Sequence, residues 1–337
     1  ILITGGAGFI AHHLIDKILS TTDWEIITLD RLDFSGNLNR LNEVVSSFEQ
    51  DNRKRVKVVY HDLKAELNPE ISATIGKVDL IAHLEAGSHV DRSIKYPIEF
   101  VRDNVLGTAH ILDYARKLDN LERFAYFSTD EIFGPAPKGV DYKENDRYNS
   151  TNPYSATKAG GEELAVAYEN TYGLPVFITH TMNVFGERQH PEKFIPMCIK
   201  RIRDGEIITV HSDKTKTIPG TRHYIHAEDV AEAIYFLLKE DIKPEIDFGG
   251  AKCPKYNIVG AEEINNLDLA QIIADAQGKE LKYEMVDFHS SRPGHDLRYS
   301  LSGEKMKKLG WTPSIKLTQR IKQVVEWSLK NENWIEL

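Results

Sequence analysis

Residues 1–11 read ILITGGAGFIA, and this stretch decides the fold. The apolar run Ile1–Thr4 predicts a short buried strand, and the spacing of the later apolar residues predicts a helix that begins near Ile10. In the turn between them, Gly5 permits a sharp bend and Gly8 permits a pyrophosphate to approach the backbone closely. Phe9 belongs to the same turn, and the free N–H groups at a helix start suit a phosphate. The stretch therefore predicts a dinucleotide site, with a purely structural turn as the alternative.

Acidic and amide side chains follow the glycine turn at positions that suit the same cofactor. Asp30 comes about 20 residues later, the spacing expected of an acid that accepts both ribose hydroxyls. A carboxylate there repels a 2′-phosphate and favours NAD over NADP, although Arg31 blurs that preference. Asp62 and Leu63 follow the third strand, within reach of the adenine, and Asn104 lies in a helical region. The alternatives are a turn cap for Asp62 and a structural role for Asn104.

Short apolar runs alternate with helical stretches through the first half of the chain. The predicted strands are Ile1–Thr4, Glu25–Leu29, Val56–Tyr60, Leu80–His83, Phe124–Ser128 and Val176–His180. Their hydrophobicity is continuous rather than alternating, which is typical of parallel strands buried on both faces. The sequence therefore predicts an α/β protein with a doubly wound parallel sheet, a Rossmann fold, whose ligands bind outside the carboxyl ends of the strands.

After about Phe185 the pattern changes to helices mixed with short strands. The predicted helices are Phe194–Asp204, Asp229–Lys239, Asn266–Gln277, Ser302–Leu309 and Leu317–Glu332, and Asn266 is expected to cap the third of them. This pattern predicts a smaller α+β lobe. We expect residues 1–185 to form the NAD-binding domain, with a returning segment at about 222–250. Residues 186–221 and 251–337 are expected to form the substrate-binding lobe.

The composition excludes several classes of protein. The chain has 337 residues and a formal charge of −9, which argues against a general nucleic-acid binder. Cys198 and Cys253 lack metal-ligand spacing, so we expect neither a disulfide framework nor a metal site, and a cytoplasmic location fits. No apolar run reaches the length of a membrane span and no signal peptide is visible, so we expect no membrane association.

Tyr154 and Lys158 stand at positions i and i+4 in the segment YSATK. On a helix they share a face, with about 6 Å of axial rise between them. An ammonium group beside a phenol, together with a nicotinamide cation, favours the phenolate and makes Tyr154 a usable base near neutral pH. Thr129, at the end of the preceding strand, is placed to hydrogen-bond the hydroxyl being oxidised. The alternative for Thr129 is a hydroxyl that ties down a loop.

Asp130 and Glu131 form an adjacent acid pair after that strand. Neighbours in a strand point to opposite faces, so both can meet one substrate only if the strand has already ended. Two carboxyl groups close together do not both ionise readily, so one can hold a proton and act as an acid while the other acts as a base. A solvated pair at a strand end is the alternative.

These segments resemble the nucleotide-sugar 4,6-dehydratases of the extended short-chain dehydrogenase/reductase superfamily, above all those that act on dTDP-glucose. The segments that carry the resemblance span nearly the whole chain: Ile1–Ile10, Ser88–Ile94, Ser128–Glu131, Tyr154–Lys158, Pro191–Lys193 with Ile195–Pro196, and Arg292–Tyr299. The acid pair and the last block are specific to this branch, because the related 4-epimerases share the tyrosine and lysine without the acid pair.

The resemblance implies an enzyme that converts a nucleotide hexose to its 4-keto-6-deoxy form with tightly bound NAD. Tyr154, helped by Thr129 and Lys158, would take the C4 hydroxyl proton as C4 is oxidised. The new ketone makes the C5 hydrogen acidic. Glu131 would then remove that hydrogen while Asp130 protonates the departing C6 hydroxyl, which leaves as water. The hydride then returns to C6 and a proton to C5.

The resemblance also implies where substrate and partner subunits bind. The residues expected to hold the diphosphate and nucleotide are Asn183, Arg222, Arg292 and His295, with an ion pair between lobes as the alternative for the two arginines. Weaker candidates for sugar and base contacts are Ser88, His89, Glu192 and Lys193. A homodimer is implied, through helices near Pro97–Lys117 and Pro153–Tyr172.

Several positions depart from the family pattern and leave the substrate open. Gly87 replaces a glutamate, Glu85 replaces a small residue, and the segment His211–Thr221 is longer than usual. Further departures are Phe133 and Phe185 in place of tyrosines, and His223-Tyr224 in place of Asp-Trp. Thymidine is the family's default nucleotide, and uridine is an alternative. An epimerase or decarboxylase on the same scaffold and an NAD-binding regulatory protein without turnover are the other readings. The acid pair disfavours the former, and the presence of the tyrosine and lysine disfavours the latter.

Overall fold

The fold is built from parallel strands connected by helices. The computed structural model describes residues 1–33, 35–242, 245–247, 250–287 and 297–336. Its strands are, in chain order, β1 (Leu2–Thr4), β2 (Ile26–Asp30), β3 (Val56–Tyr60), β4 (Leu80–His83), β5 (Arg123–Thr129), β6 (Val176–Thr181), β7 (Asn183–Phe185), β8 (Ile208–Ser212), β9 (Thr221–His226), β10 (Glu245–Asp247), β11 (Gly250–Lys252), β12 (Lys255–Ile258), β13 (Glu263–Asn265) and β14 (Tyr283–Asp287).

Thirteen α-helices accompany these strands in the described ranges. They are α1 (Ala11–Thr21), α2 (Leu38–Ser46), α3 (Gln50–Lys54), α4 (Pro69–Ile75), α5 (Val90–Lys95), α6 (Pro97–Val101), α7 (Gly107–Ala115), α8 (Pro153–Tyr172), α9 (Phe194–Asp204), α10 (Ala227–Lys239), α11 (Asn266–Gln277), α12 (Glu304–Lys308) and α13 (Leu317–Lys330). A π-helical turn at Arg102–Leu106 joins α6 to α7, and 3₁₀ turns lie at Asp130–Phe133 and Glu332–Trp334.

A seven-stranded sheet in the order β12-β6-β5-β4-β1-β2-β3 forms the centre of the molecule, and every neighbouring pair is parallel. The chain runs outward from β1 through β2 to β3 and then crosses back to β4 on the other side of β1. At such a reversal a crevice opens outside the carboxyl ends of the strands, and ligands bind there. The predicted doubly wound parallel sheet is confirmed.

Helices cover both faces of this sheet, which explains why its strands are continuously apolar. On one face α1 packs against α10, with Leu14, Ile18 and Ile234 in a shared buried core. On the other face α7 and α8 contribute Leu112 and Ala165 to a second buried core. Full burial of a leucine or isoleucine side chain stabilises a fold by about 1.5–3 kcal/mol.

Elements from the second half of the chain pack back on the central sheet and its helices. α10 lies on α1, and the Lys17 ammonium is 3.0 Å from Glu232 Oε1 across the two helices. β12 also joins the central sheet beside β6, although the sequence-based division places residues 251–337 in the second lobe. The run Lys255–Ile258 is short and contains a lysine and an asparagine, so it gives a weak strand signal. The two-lobe division itself stays a prediction.

Smaller sheets and helices make up the remainder of the described chain. β8 pairs in parallel with β14, β9 lies between β13 and β7, and β10 pairs with β11. α9, α11 and α13 pack around a separate core in which Ile199, Ile273 and Ile321 are fully buried. Among the described helices, none combines the length and apolar character that crossing a membrane requires.

The predicted elements agree with the observed ones to within a few residues, and the helix cap needs one correction. The side chain of Asn265 accepts a hydrogen bond from the Asp268 N–H at 2.9 Å, so Asn265 caps α11. Asn266, the predicted cap, is the first helical residue, and its side chain accepts a hydrogen bond from the Tyr224 hydroxyl at 2.8 Å. Two adjacent asparagines offer the same capping chemistry, and the sequence alone did not distinguish them.

Candidate active site

A cavity of about 320 Å³ opens outside the carboxyl ends of the central strands. Its wall includes most of the residues predicted for catalysis and binding: Gly5, Gly8, Phe9, Ile10, Asp30, Ser88, His89, Thr129, Asp130, Glu131, Tyr154, Lys158, Asn183, Glu192 and Lys193. The topology explains this assembly, because the carboxyl ends of parallel strands meet at one edge of the sheet.

The glycine turn between β1 and α1 forms one side of the cavity. Gly5 has a φ of +70°, a left-handed conformation that side chains rarely adopt, and a Cβ there would lie 3.0 Å from the backbone of Glu85. A Cβ on Gly8 would lie 2.8 Å from the Gly5 carbonyl oxygen. Ile10 precedes α1 and provides no capping side chain, so the first N–H groups of this helix are left for a phosphate ligand.

Asp30 ends β2, and its carboxylate is fixed in orientation on the cavity wall. It accepts hydrogen bonds from the Ala7 N–H at 3.0 Å and from the Leu32 N–H at 2.7 Å. Burial raises the pKa of this carboxyl, and the two N–H donors oppose that effect. A Cβ on Gly36 would lie 2.5 Å from Asp30 Oδ1, so glycine keeps that oxygen accessible. The arrangement fits the ribose hydroxyls of a dinucleotide.

Arg31, which leaves the choice between NAD and NADP open in the sequence, is hydrogen-bonded to two carboxylates and lies 3.8 Å from a third, that of Asp62. Its guanidinium donates to Asp103 Oδ1 at 2.5 Å and to Asp103 Oδ2 at 3.1 Å, and its Nε donates to Asp33 Oδ2 at 2.9 Å. Forked pairing of this kind is the strongest ion pairing that arginine makes. An arginine held in this way is poorly available to a 2′-phosphate, so these contacts support NAD.

Three predicted cofactor residues lie outside the described cavity wall. Leu63 is buried in the apolar core. Asn104 is buried and holds the loop at Gly87, accepting from its N–H at 2.7 Å and donating to its carbonyl at 3.1 Å. Asp62 accepts a backbone N–H two residues later at 3.0 Å. The contacts of Asp62 and Asn104 agree with the alternatives that the sequence left open, a turn cap and a structural role. A cofactor role for Asp62, Leu63 and Asn104 stays a prediction.

The acid pair meets the geometric condition that the sequence set for it. β5 ends at Thr129, and the chain continues through Asp130 and Glu131 as a 3₁₀ turn. The two side chains are therefore released from the alternation of a strand, and both line the cavity. Two carboxyl groups can meet one bound molecule at this position.

The two carboxyl groups have different surroundings. Burial, and then the negative charge of Glu131, raise the pKa of Asp130 to about 7. Its Oδ1 accepts a hydrogen bond from the Thr129 hydroxyl at 3.1 Å, and its buried Oδ2 has no hydrogen-bond partner within the described part of the chain. Glu131 accepts a hydrogen bond from Asn152 Nδ2 at 3.0 Å. Asp130 is therefore the member of the pair that is suited to hold a proton.

A capping box fixes the start of α8 and with it the tyrosine and lysine. The Asn152 side chain accepts the Ser155 N–H at 2.9 Å, while the Ser155 hydroxyl accepts the Asn152 N–H at 3.4 Å. Tyr154 therefore lies in the first turn of the helix, on the cavity wall. Lys158 follows one turn later, and its ammonium donates to the Phe127 carbonyl at 2.6 Å.

The protein groups alone favour a neutral Tyr154. Burial, followed by the charges of Glu131 and Asp130, raises the pKa of the Tyr154 phenol, and the hydrogen bond with Thr129 opposes that rise. Burial also lowers the pKa of Lys158 to about 7. A cationic nicotinamide and a protonated lysine act in the opposite direction on the phenol, so the expected phenolate depends on both and stays a prediction.

The loops that carry predicted substrate residues approach each other at the cavity. Glu192 Oε2 lies 3.6 Å from His89 Nε2 and 3.5 Å from the Arg92 guanidinium. Burial lowers the pKa of His89 to about 4. Arg222 is buried and is not among the residues that line the cavity, and its guanidinium donates to the Leu297 carbonyl at 2.8 Å. Two further predicted residues, Arg292 and His295, lie outside the described residues.

Several cavity residues were not assigned to the site from the sequence: Asp33, Ser35, Gly36, Arg40, Glu85, Gln189, His190 and Tyr224. Arg40 is a buried guanidinium that donates to the Ser35 carbonyl at 2.6 Å, and burial lowers its pKa to about 10. Glu85 is a carboxylic acid, so burial has the opposite effect and raises its pKa to about 8. A lone arginine in a helix gives no sequence signal, whereas a glycine in the loop after Asp30 could have been found.

One cluster outside the cavity has the composition of a metal site. Ligand atoms of Glu187, His226 and Glu228 lie within 4.8 Å of one another. His226 Nε2 is 3.1 Å from Glu187, and Glu228 accepts from the Arg320 guanidinium at 2.6 Å. Each of the three side chains therefore has a hydrogen-bond or ion-pair partner within the protein.

The fold and this site define a class of protein. A model of the family described as GDP-mannose 4,6 dehydratase matches residues 2–324. The chain therefore belongs to this family of nucleotide-sugar dehydratases, and the resemblance inferred from its motifs is confirmed.

Particular relatives agree with this assignment. A dTDP-glucose 4,6-dehydratase of Escherichia coli is 33% identical over 361 residues, which are 99% of this chain and 94% of that protein. A trifunctional UDP-glucose 4,6-dehydratase, epimerase and reductase of Arabidopsis thaliana is 36% identical over 338 residues, covering 99% of this chain and 47% of that longer protein. A crystal structure of a dTDP-glucose 4,6-dehydratase from Streptomyces venezuelae with NAD bound is similar at a TM-score of 0.85, with 33% identity and 99% and 98% of the two chains covered.

Proposed function

We propose that this protein is an NAD-dependent nucleotide-sugar 4,6-dehydratase that converts dTDP-glucose or UDP-glucose to the 4-keto-6-deoxy sugar nucleotide. Family membership supports the reaction class. The observation that carries the proposal is the end of β5 at Thr129, because it lets Asp130 and Glu131 face the cavity that Tyr154 and Lys158 also line.

The residues present fit the cofactor. A left-handed Gly5, the close approach at Gly8 and the uncapped start of α1 suit a pyrophosphate, and Asp30 suits the adenine ribose. When bound, NAD supplies the acceptor and later the donor of one hydride. We expect Phe9 and Ile10 to contact it from the same turn.

The first task of the protein is to remove a proton from the C4 hydroxyl. Tyr154 would accept that proton, with the Thr129 hydroxyl orienting the substrate and the charge of Lys158 favouring the phenolate. Tyr154 lies in the first turn of α8, and the capping box that fixes the start of this helix holds the phenol at the cavity.

The second task is elimination of water. Once C4 is a ketone, the C5 hydrogen is acidic, and Glu131 would remove it as the base. Asp130, whose pKa is raised to about 7, would donate its proton to the departing C6 hydroxyl. Each such general acid or base step typically contributes about 10²–10⁴-fold. An epimerase has no use for this pair, which is why the acid pair favours dehydration.

Substrate contacts follow from the position of residues on the cavity wall and remain proposals. Ser88, His89, Asn183, Glu192 and Lys193 line it and would meet the sugar, diphosphate or base. The sequence-based roles of Arg222, Arg292 and His295 in binding the nucleotide also stay proposals. Arginine suits a diphosphate because its forked donors match phosphate oxygens.

We also propose a homodimer formed through the helices near Pro97–Lys117 and Pro153–Tyr172. Large apolar side chains are exposed in these two regions or directly beside them: Tyr96, Ile98, Val101, Leu106 and Tyr172. Contiguous patches of exposed apolar side chains mark interaction surfaces, whereas single exposed apolar side chains are ordinary. A second copy of the chain would bury them.

A cytoplasmic location remains a prediction. The two cysteines, Cys198 and Cys253, are both buried and free. Free thiols persist in a reducing compartment, which supports the proposal.

The proposed function is tested by incubating the purified protein with NAD⁺ and, separately, dTDP-glucose and UDP-glucose, and following the sugar resonances by NMR. Conversion of either to a 4-keto-6-deoxy product supports the dehydratase and identifies its nucleotide. If both sugars stay unchanged while NAD is bound, the substrate assignment fails; if the 4-epimer forms instead, the reaction class fails.

A further inference from the structure

A buried carboxylate that the proposed reaction does not use is hydrogen-bonded to the strand that leads to the acid pair. Glu162, on α8, is fully buried. Its Oε2 accepts a hydrogen bond from the Ser128 hydroxyl at 2.7 Å, and its Oε1 accepts from the Lys255 ammonium at 2.8 Å. His180 Nε2 lies 3.1 Å from Oε1, and the Tyr148 hydroxyl donates to the same oxygen. Four side chains from different elements therefore converge on one carboxylate.

The surroundings of Glu162 keep it ionised. Burial alone raises the pKa of a carboxyl, but the hydrogen bonds and charges of His180 and Lys255 hold the pKa of Glu162 well below its usual range. A buried charge is costly unless it is paired and hydrogen-bonded, as it is here. A negative charge is therefore fixed inside the protein at this position.

Glu162 and Lys158 are one helical turn apart and bind consecutive residues of β5. The Lys158 ammonium donates to the Phe127 carbonyl at 2.6 Å, and the Ser128 hydroxyl donates to Glu162. The Tyr126 hydroxyl donates to the Lys158 carbonyl at 3.0 Å, which adds a third link between strand and helix. These links end at Ser128, the residue immediately before Thr129 and the acid pair.

The groups that face the Lys158 ammonium come from three elements. From β5, the Tyr126 ring lies 4.5 Å from Nζ, and from β4, His83 is buried with a pKa lowered to about 3, which makes it neutral. From α8 itself comes Glu162, one turn after Lys158. Burial lowers the pKa of Lys158, and Glu162 is the charged group that opposes this effect.

We propose that Glu162 is a positioning residue of the active site, a role that rests on the proposed dehydratase function. Its carboxylate holds Ser128, and with it the end of β5 that carries Thr129, Asp130 and Glu131. Its charge, one turn from Lys158, keeps the lysine protonated so that it supports the Tyr154 phenolate during C4 oxidation. Lys255 and His180 serve as the counter-charge and hydrogen-bond partner that fix Glu162 in place.

The test compares pH profiles of C4 oxidation in three variants, measured in single turnovers by rapid quench and mass spectrometry. Glu162→Gln preserves shape and removes the charge. The alkaline limb of its profile should move to lower pH by about one unit, a tenfold loss of rate on that limb. Glu162→Asp keeps the charge and should retain the wild-type limb. Glu122→Gln, which removes an exposed carboxyl just before β5, should match the wild type.

The outcomes separate a positioning role from a merely structural one. If Glu162 is only structural, Glu162→Asp should lower the rate at least as much as the isosteric Glu162→Gln. The alkaline limb of the pH profile should then be unchanged in both variants. That result would overturn the proposal. If Glu162→Gln does not fold, Ser128→Ala is the alternative variant, because it removes the hydrogen bond that ties the end of β5 to Glu162. The less rigid strand end should lower kcat about tenfold or more at unchanged KM. A Ser128→Ala enzyme with wild-type kcat would then overturn it.

The wild-type enzyme in the same experiment separates this inference from the proposed function. If the wild-type protein forms no oxidised sugar from dTDP-glucose or UDP-glucose, the proposed function fails. If it does, and Glu162→Gln has the wild-type profile, the role of Glu162 fails alone.

Discussion

Asp130 and Glu131 are neighbours in the chain, yet both face one cavity, because β5 ends at the residue before them. The two carboxyl groups are not equivalent. Asp130 is buried with a raised pKa of about 7, whereas Glu131 is hydrogen-bonded by Asn152 at 3.0 Å. This difference supports the proposed roles of Asp130 as the proton donor of the elimination and of Glu131 as its base.

Glu131→Gln should stall elimination and leave C4 oxidation possible, because the amide cannot accept the C5 proton. We expect formation of the 4-keto-6-deoxy product to fall by about 10²–10⁴-fold. Quenched mixtures analysed by mass spectrometry should contain a 4-keto sugar that still carries its C6 hydroxyl. Glu122→Gln, at an exposed position, should behave as wild type. Full dehydration by the Glu131→Gln enzyme would show that another group is the base.

The elimination step should slow as pH rises through about 7, since Asp130 must be protonated to donate to the C6 hydroxyl. Stopped-flow or quench measurements of that step between pH 6 and pH 9 check this. In Asp130→Asn the alkaline decline should disappear together with most of the activity. A rate of elimination that rises steadily with pH would contradict the assignment.

The same carboxyl links stability to pH. Because its pKa is raised on folding, its contribution to stability is fully present below the unfolded pKa near 4 and is lost as pH rises through about 7. Asp130→Asn should therefore have a larger free energy of unfolding than wild type at pH 8, by on the order of 4 kcal/mol, and the difference should fall to about 1.5 kcal/mol at pH 5. If the variant and the wild type have equal free energies of unfolding at pH 8 and at pH 5, the pKa of Asp130 is not raised by folding.

Asp103→Asn should increase the affinity for NADP⁺, because it releases the Arg31 guanidinium from its forked partner. We expect about a tenfold gain for NADP⁺, equivalent to ~1.4 kcal/mol, with the affinity for NAD⁺ little changed. Isothermal titration of protein freed of its cofactor measures both. Asp113→Asn, which alters an exposed ion pair on α7, is the matched control. Unchanged NADP⁺ affinity in both Asp103→Asn and Asp33→Asn would rule out this mechanism of selection.

Ile98→Glu should separate the proposed homodimer, since Ile98 is 63% exposed on α6, within the first region assigned to the interface. Light scattering should give half the wild-type mass at micromolar concentration. Ile207→Glu, at a position that is 55% exposed before β8, should leave the mass unchanged. A wild-type protein that is already monomeric would contradict the proposed interface.

The sequence predicted the central sheet well because its strands are buried on both faces and therefore continuously apolar. β3 and β4 have the predicted bounds, and so do α9 and α11. β12, which joins the central sheet beside β6, was not among the predicted strands, because an edge strand of four residues carries little hydrophobic signal. The choice between Asn265 and Asn266 as the cap depends on one residue of register, which side-chain chemistry does not fix.

The site was predicted where residues stand in motifs, and missed where burial alone gives a side chain its role. Gly5, Asp30 and Tyr154 follow fixed spacings along the chain. Arg40 and Glu162 become part of the site or its support only through tertiary packing of helices on strands. Electrostatic pairing is equally hidden, because Arg31 and Asp103 are far apart in the chain and meet only in the fold.

The destination of the C4 hydrogen tests the central claim most directly. The enzyme would be supplied with NAD⁺ and dTDP-glucose or UDP-glucose that carries deuterium at C4, and the product examined by NMR. A dehydratase should give a 4-keto-6-deoxy sugar with the deuterium at C6. Deuterium returned to C4 in an epimerised sugar, or a substrate left unchanged with both nucleotides, would contradict the assignment.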